Sequence, residues 1–444
     1  MIPQKLSLGK GVTLFAIETD RFKTACLTAS LLLPADKAAS PMRSLLLSVM
    51  EQGTKNDPSL RALNRRMDLL YDLTLYASNS RMGDLQLIGS GAYFLNPAFL
   101  PVTEDRARIE QENIDMLTDS LYTPLFASDG FFRSDYTERG KTVQIDQIRD
   151  ERNSPSAYAA MRSREITFKG TPHAVSFSGN VDQVRAITRE ELSQLYRELI
   201  PHAPVQFFYI GSTAPEEIAE KLSRALRLGG ASPATDGALP APLPPLPVSR
   251  DCSDVIRTEE ALAVSQGKLV MTFLTGTTVA SPDFYAAMVY NEILGGSPVS
   301  KLFVNVREKK SLSYQCSSYQ NSYKGYLTVF AGIRCDKRDE AEAEILLQVE
   351  EMRKGHITKA EFDAAVRALL SMYISVSDSA SALEKFYTVR SLYQITQAPE
   401  DVTAALARVT LADVIAFAQK VTLRSVYFLR PTSTEALEEE ETAE

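Results

Sequence analysis

The sequence repeats itself at one constant offset across a proline-rich divide, so the chain must build one architecture twice. The divide is Gly229 to Ser249, GGASPATDGALPAPLPPLPVS, a run of proline and alanine that predicts an extended, semi-rigid linker. On either side the halves align. Gly83-Asp-Leu-Gln-Leu-Ile matches Gly325-Tyr-Leu-Thr-Val-Phe, and both alternate as half-buried strands do. The same shift lays Gly53-Thr54 on Gly295-Gly296 and Arg65 on Arg307. It also lays the apolar run Leu45–Met50 on Ala287–Leu294, a predicted helix in each half.

The ends of the halves agree as well. Thr188-Arg-Glu-Glu191 is a capping box that opens a helix through Leu199, followed by the strand-like run Val205–Gly211. Thr410-Leu-Ala-Asp413 opens a similar helix before Val426–Arg430. A third cap, Thr358-Lys-Ala-Glu361, starts a helical stretch to about Ser371, after the amphipathic run Glu340–Met352. Strands in paired runs with helices grouped between them predict an α+β fold: two tandem homologous domains with antiparallel-rich sheets and helices packed on them. The expected boundaries are 1–228 and 251–432, with a linker at 229–250 and an acidic, solvating tail at 433–444.

Composition narrows the function. A net charge of -8 argues against nucleic acid as a partner, because phosphate binding needs a basic surface. Cys26, Cys252, Cys316 and Cys335 form no C-x-x-C pair and predict free thiols in a reducing cytoplasm. The N-terminal stretch does not have the pattern of a secretory signal, and Cys26–Pro34 is far shorter than a membrane span. His173, His202 and His356 are too far apart in sequence for one helix or turn to bind a metal. There is no P-loop, no dinucleotide-binding glycine motif and no G-x-S-x-G elbow.

The most specific segment is Asn291–Tyr314, NEILGGSPVSKLFVNVREKKSLSY, followed by the strand ending Val-Phe-Ala-Gly at Gly332. It resembles the second-half signature of the insulinase (pitrilysin) family of zinc metallopeptidases, which includes the mitochondrial-processing-peptidase-like members: Leu-Gly-Gly, Ser-x-Leu-Phe, then Arg-Glu-Lys-x-Gly-Leu-Ala-Tyr. The resemblance implies α+β halves, two or four of which enclose a peptide-sized chamber. It also implies that half-size chains pair, one carrying the zinc. Active members place H-x-x-E-H before a Gly-Thr, two histidines four apart on one helix face binding zinc and the glutamate acting on metal-bound water.

Counted back from Gly53-Thr54, those three positions fall on Ser44, Leu47 and Ser48, and no histidine precedes His173. None of the three can do that chemistry. A later acidic ligand falls within Val143–Glu151, where Asp146, Gln147, Asp150 and Glu151 all qualify. What the chain keeps is Arg307 and Tyr314, spaced as in the family, where they reach a substrate backbone and donate to a developing oxyanion. Ser311 stands where the family favours glycine. Lys309 and Lys310 are expected on a solvated loop face, and His173 in a loop near a turn. Tyr319, Tyr323 and Tyr326 are expected either to line a peptide-binding wall or to alternate in a strand pair. Gly53 and Gly295 are expected to allow tight turns after their helices.

Implied overall is a non-catalytic subunit with no metal or cofactor of its own, lending Arg307 and Tyr314 to a zinc-bearing homologous subunit acting on peptides. The chain would form that heterodimer or a homodimer. The alternative is a peptide-binding or scaffolding protein without a peptidase role.

Overall fold

The computed structural model describes residues 1–228 and 254–432; the linker and acidic-tail expectations, and Cys252, lie outside the described residues. The first half runs β1 (Gln4–Gly9), β2 (Val12–Glu18), β3 (Thr24–Pro34), α1 (Ala39–Met50), α2 (Leu60–Leu69), β4 (Thr74–Met82) and β5 (Leu85–Leu95). It continues through α3 (Arg106–Tyr122), α4 (Ser134–Asn153), α5 (Pro155–Thr167), α6 (Val181–Ala186), α7 (Arg189–Leu199), β6 (Val205–Gly211) and α8 (Pro215–Leu228). The second half holds β7 (Ile256–Leu262), β8 (Gly267–Leu274), α9 (Phe284–Asn291), β9 (Ser313–Asn321), β10 (Tyr326–Ile333) and α10 (Arg338–Arg353). After these come α11 (Lys359–Ser375), α12 (Ala380–Leu392), α13 (Pro399–Leu406), α14 (Leu411–Ala418) and β11 (Thr422–Pro431).

The duplication is visible in the topology. The first sheet is ordered β1-β2-β6-β3-β5-β4 and the second β7-β11-β8-β10-β9. Setting β2 on β7, β6 on β11, β3 on β8, β5 on β10 and β4 on β9 makes the orders identical, with β1 as an extra edge strand. In each sheet one pair is parallel, β2 with β6 and β7 with β11, while the others are antiparallel. The turn entering the fifth strand is also copied: Gly83 and Gly325, aligned by the repeat, both sit at positive φ, 60° and 67°. A side chain there would be strained, which is why this register was readable.

Burial follows strand position. The central strand β6, Val-Gln-Phe-Phe-Tyr-Ile-Gly, is buried throughout, whereas the edge strand β7, Ile-Arg-Thr-Glu-Glu-Ala-Leu, alternates half-buried with exposed. The predicted caps are present: Thr188 with Glu191 and Thr410 with Asp413 form reciprocal boxes, and Thr358 does the same with Glu361.

The chain forms two compact units, and each borrows one segment from the other half. Among the described residues, the first unit comprises 1–149, 175–228 and 376–396, so α12 lies on β3 and β6. There Glu384 is buried and accepts from the Thr28 and Thr388 hydroxyls at 3.1 and 2.9 Å. The second comprises 150–174, 254–375 and 397–432, with α5 packed on β8 and β11. Arg162 of α5 grips Glu260 through two nitrogens, and Tyr158 and Tyr427 donate to the same carboxylate. A polar side chain that is half-buried needs such a partner, so each borrowed helix is fixed in register by one carboxylate.

His173 lies near a turn as expected, on the short 3-10 segment Pro172–Ala174 after Gly170. It is buried, with Nε2 3.0 Å from the Tyr326 hydroxyl and its ring edge-on to Phe168. It follows α5 into the core of the second unit, which sequence proximity to a turn did not reveal. Tyr326 is therefore a core residue, while Tyr319 on β9 is exposed. The three tyrosines do not form one wall. Gly295 differs from its expectation: it has no positive φ and lies inside a π-helical segment, Glu292–Gly296, where a Cβ would stand 2.6 Å from the Ser318 amide nitrogen. Its role is close packing against β9. Gly53 likewise has no positive φ, and a Cβ there would meet the Asp57 carbonyl oxygen at 3.1 Å.

Candidate functional site

The helix that would carry zinc in the resembled family is α1. Ser44 is hydrogen-bonded on several sides: its hydroxyl lies 2.8 Å from the Phe177 carbonyl and accepts from Asn79 Nδ2 at 2.8 Å. Gln86, fully buried, donates to Asn79 Oδ1 at 3.1 Å and to the Ser40 carbonyl at 3.3 Å. Arg43 joins this network through the Pro34 carbonyl at 2.7 Å. Leu47 is buried in the core of the unit, and Ser48 Oγ reaches only the Ser44 carbonyl, at 3.5 Å.

Opposite α1 runs α4. A Cβ at Gly140 would lie 3.1 Å from Leu45 Cδ1 and Val49 Cγ2, so the two helices touch there. One turn on, Gln144 is buried and donates to the Pro41 and Ser178 carbonyls at 3.1 and 2.9 Å. In the stretch expected to hold an acidic ligand, the side chain turned toward α1 is thus an amide. Asp146, Gln147 and Asp150 are exposed, and Asp146 pairs with Arg149; Glu151 is half-buried.

These residues do not fit zinc. Two engaged hydroxyls, a leucine and an amide offer no anionic or imidazole donor, and the buried Arg43 guanidinium repels a dication. Among the described residues no group of three or more His, Cys, Asp or Glu is placed to hold a metal ion.

Beside α1 lies an apolar groove of about 320 Å³, with Leu47, Met50, Leu63, Met67 and Leu75 in its wall. It follows the edge strand β4. One outward backbone donor of that edge, the Ala77 N–H, is taken by the Glu51 carboxylate at 3.0 Å.

In the second unit, Arg307 lies on a π-helical segment, Phe303–Lys309. Its guanidinium stacks over the Phe303 ring, 4.5 Å from the centroid, with Nε 3.6 Å from Glu308. The helix closes in a left-handed cap: the Ser311 N–H bonds the Arg307 carbonyl and the Leu312 N–H reaches back to the Val306 carbonyl, with Ser311 at φ +50°. The serine thus follows the path for which a glycine is suited. Two residues on, β9 begins with a bulge, because Ile333 faces Ser313 while Gly332 faces Gln315. Tyr314 is the extra residue. Bulges re-aim side chains, and Tyr314 is 59% exposed.

Lys309 and Lys310 are exposed, as expected of a solvated face, and both are also engaged. Lys310 pairs with Glu344, whose side chain is buried on α10, and Gln348 donates to that carboxylate at 2.7 Å. Gln348 in turn accepts from Asn305, which also holds Lys309 at 3.1 Å. This chain braces the arginine-bearing helix against α10. Sequence spacing gave no sign of it, because Glu344 lies in a run of similar glutamates.

Residues 186–369 match the family described as Peptidase M16 inactive domain. Nearly the whole chain, 95%, aligns at 27% identity with 96% of the "Probable inactive metalloprotease YmfF" of Bacillus subtilis. Residues 186–369 thus carry the pattern of the M16 peptidase family, and the likeness to a relative extends over nearly the whole chain. A conserved protein from Enterococcus faecalis V583 superposes with a TM-score of 0.88 over 97% of this chain and 99% of that one, at 24% identity. A Pseudomonas fluorescens structure described as peptidase M16 inactive domain gives 0.75 over 98% of each, at 16% identity. This chain lacks the H-x-x-E-H motif. No helix among its described residues is long and apolar enough to cross a membrane.

Proposed function

We propose that this chain is the non-catalytic subunit of a heterodimeric zinc endopeptidase of the M16 family, in the reducing cytoplasm. A homologous partner brings the zinc, and this chain brings a chamber wall with Arg307 and Tyr314. The observation that carries the reading is a contrast between the two units. The α1 helix has become a hydrogen-bonded joint, whereas Tyr314 is exposed and Arg307 half-exposed on one turn: a braced helix, a left-handed cap and a bulge. Selection for stability alone does not call for a serine at positive φ or for an exposed tyrosine at a bulge.

Both side chains suit the task. A guanidinium and a neutral phenol each donate to an oxygen that gains negative charge, and neither needs a metal to do so. The test is reconstitution. Mixing the chain with a zinc-bearing M16 homologue of the same organism should raise hydrolysis of a quenched fluorescent peptide well above the homologue alone. Arg307→Ala and Tyr314→Phe should each cut the reconstituted rate roughly 10²-fold, the loss typical of one oxyanion donor. No gain on mixing, or full activity in both variants, rejects the reading.

A further inference from the structure

We propose that a pocket on the α5-side face of the second sheet, with the Lys268 ammonium in its wall, binds the carboxylate of a peptide. The proposal rests on the reading of this chain as a peptide-binding subunit, and its test needs neither partner nor turnover. The pocket, about 320 Å³, lies within the second unit, between Ala157 of α5 and Lys268, Gln315, Ser317 and Phe330 of the sheet.

Lys268 is the charged group of this pocket. It is half-buried on the central strand β8, and its hydrogen-bond partner is the neutral Gln266 Oε1 at 2.6 Å. No ion pair involves it among the described residues. Two other cations withdrawn from water in this unit do meet carboxylates: Arg162 sits on Glu260 and Lys301 on Glu361. Burial pushes the Lys268 pKa down, with no carboxylate opposing the shift. A cation withdrawn from water without a counter-ion is costly, so an anion at this place would gain what the protein does not supply.

The remaining lining suits a carboxylate. The Ser317 hydroxyl and the Gln315 amide have no hydrogen-bond partners among the described residues and can both donate, while Phe330 and Ala157 offer apolar surface to a side-chain stem. A carboxylate accepts about four hydrogen bonds, enough for the three donors and water. A cationic ligand is repelled, and a neutral one leaves the ammonium uncompensated. The volume is at the low end for small-molecule sites and matches one or two residues of a peptide. Gly332 keeps the place open: a Cβ there would stand 2.8 Å from Gln266 Oε1 and 3.3 Å from Lys268 Nζ.

A C-terminal carboxylate and an acidic side chain share this chemistry. Calorimetric titration of the full chain at low salt separates them, using acetyl-Ala-Leu-Glu, its C-terminal amide, acetyl-Ala-Leu-Gln, and the doubly neutral acetyl-Ala-Leu-Gln amide. The peptide that keeps the recognised carboxylate should bind at least about tenfold more tightly than the doubly neutral one, the usual effect of one charge-assisted contact. Loss on amidation assigns the C-terminus; loss on Glu to Gln assigns the side chain. Lys268→Met, which keeps the stem, should lower affinity for the acid about tenfold, and Ser317→Leu, which fills the pocket with Lys268 intact, should do likewise. Equal binding of all four peptides, unchanged affinity in a folded Lys268→Met or Ser317→Leu chain, or no binding up to about 10 mM overturns the proposal. Failure here leaves the reconstitution test standing.

Discussion

Replacing Ser311 with glycine should stabilise the second unit while leaving its contacts untouched. Ser311 holds φ +50° as the residue that ends the arginine-bearing helix, and two backbone hydrogen bonds, from its own N–H and from Leu312, depend on that conformation. A left-handed conformation costs a residue with a Cβ about 1–2 kcal/mol. Glycine removes that cost, but its freer unfolded chain returns about 0.5–1 kcal/mol. The balance predicts a gain of about 0.5–1 kcal/mol for Ser311→Gly, or roughly 1–4 °C in Tm for a cooperative unit of this size. Ser311→Val, β-branched at positive φ, should lose about 1–2 kcal/mol relative to serine. Urea denaturation and calorimetry measure both changes, and amide exchange at Leu312 localises them, since its N–H closes the cap. If glycine destabilises, or valine is as stable as serine, the left-handed cap is not what fixes this turn.

Other outcomes follow from the same physical rules. Arg162→Met should destabilise the second unit by roughly 1–2 kcal/mol at neutral pH, the worth of a partly screened bidentate contact. Chiefly because of Arg162, the Glu260 pKa is lowered, so its stabilisation is full above the unfolded carboxylate pKa and lost as pH falls through the folded one. The gap between variant and parent in urea midpoints should therefore close in acid. Glu384 is the opposite case: burial raises its pKa, so stability falls as pH rises from the unfolded value through the folded one. Glu384→Gln can still accept from Thr28 and Thr388, and should flatten that slope and be at least as stable at pH 8. Gly89→Ala would place a Cβ 1.8 Å from the Ala29 carbonyl oxygen, a backbone clash between β5 and β3. It should cost several kcal/mol or prevent soluble expression, since overpacking against backbone cannot be relieved by a rotamer change.

The architecture was legible because it rests on local signals stated twice. Capping boxes, an apolar helix before a glycine, and a glycine before an alternating strand recur at a fixed offset, and each depends only on near neighbours in sequence. The exchange of α5 and α12 was not legible. Both helices have apolar and polar faces compatible with either sheet, and what fixes them is a long-range partner: Glu260 for Arg162, and Thr28 for Glu384. The site divides in the same way. Arg307 and Tyr314 could be placed by a local motif, whereas choosing among the residues of 143–151 required knowing which side of α4 meets α1. Gln144 is that residue, and nothing in its immediate sequence distinguishes it from Gln147.

The two units have diverged by opposite physical routes from one topology. In the first, the strand-and-helix frame survives, but the polar side chains between α1, β4 and β5 now satisfy one another: Ser44 with Asn79, Asn79 with Gln86, and Arg43 with the Pro34 carbonyl. A network engaged in this way offers a metal no carboxylate or imidazole, and a buried guanidinium within it sets the sign of the local field against a cation. In the second unit the side chains around the arginine-bearing helix are spent on holding it, through Lys310, Glu344, Gln348 and Asn305, while Tyr314 is exposed and Arg307 half-exposed. On the proposed function, chemistry has been withdrawn from one repeat and positioning retained in the other. That asymmetry is what a division of labour between two chains requires, and a chain decaying without function has no reason to keep the braced half in working order.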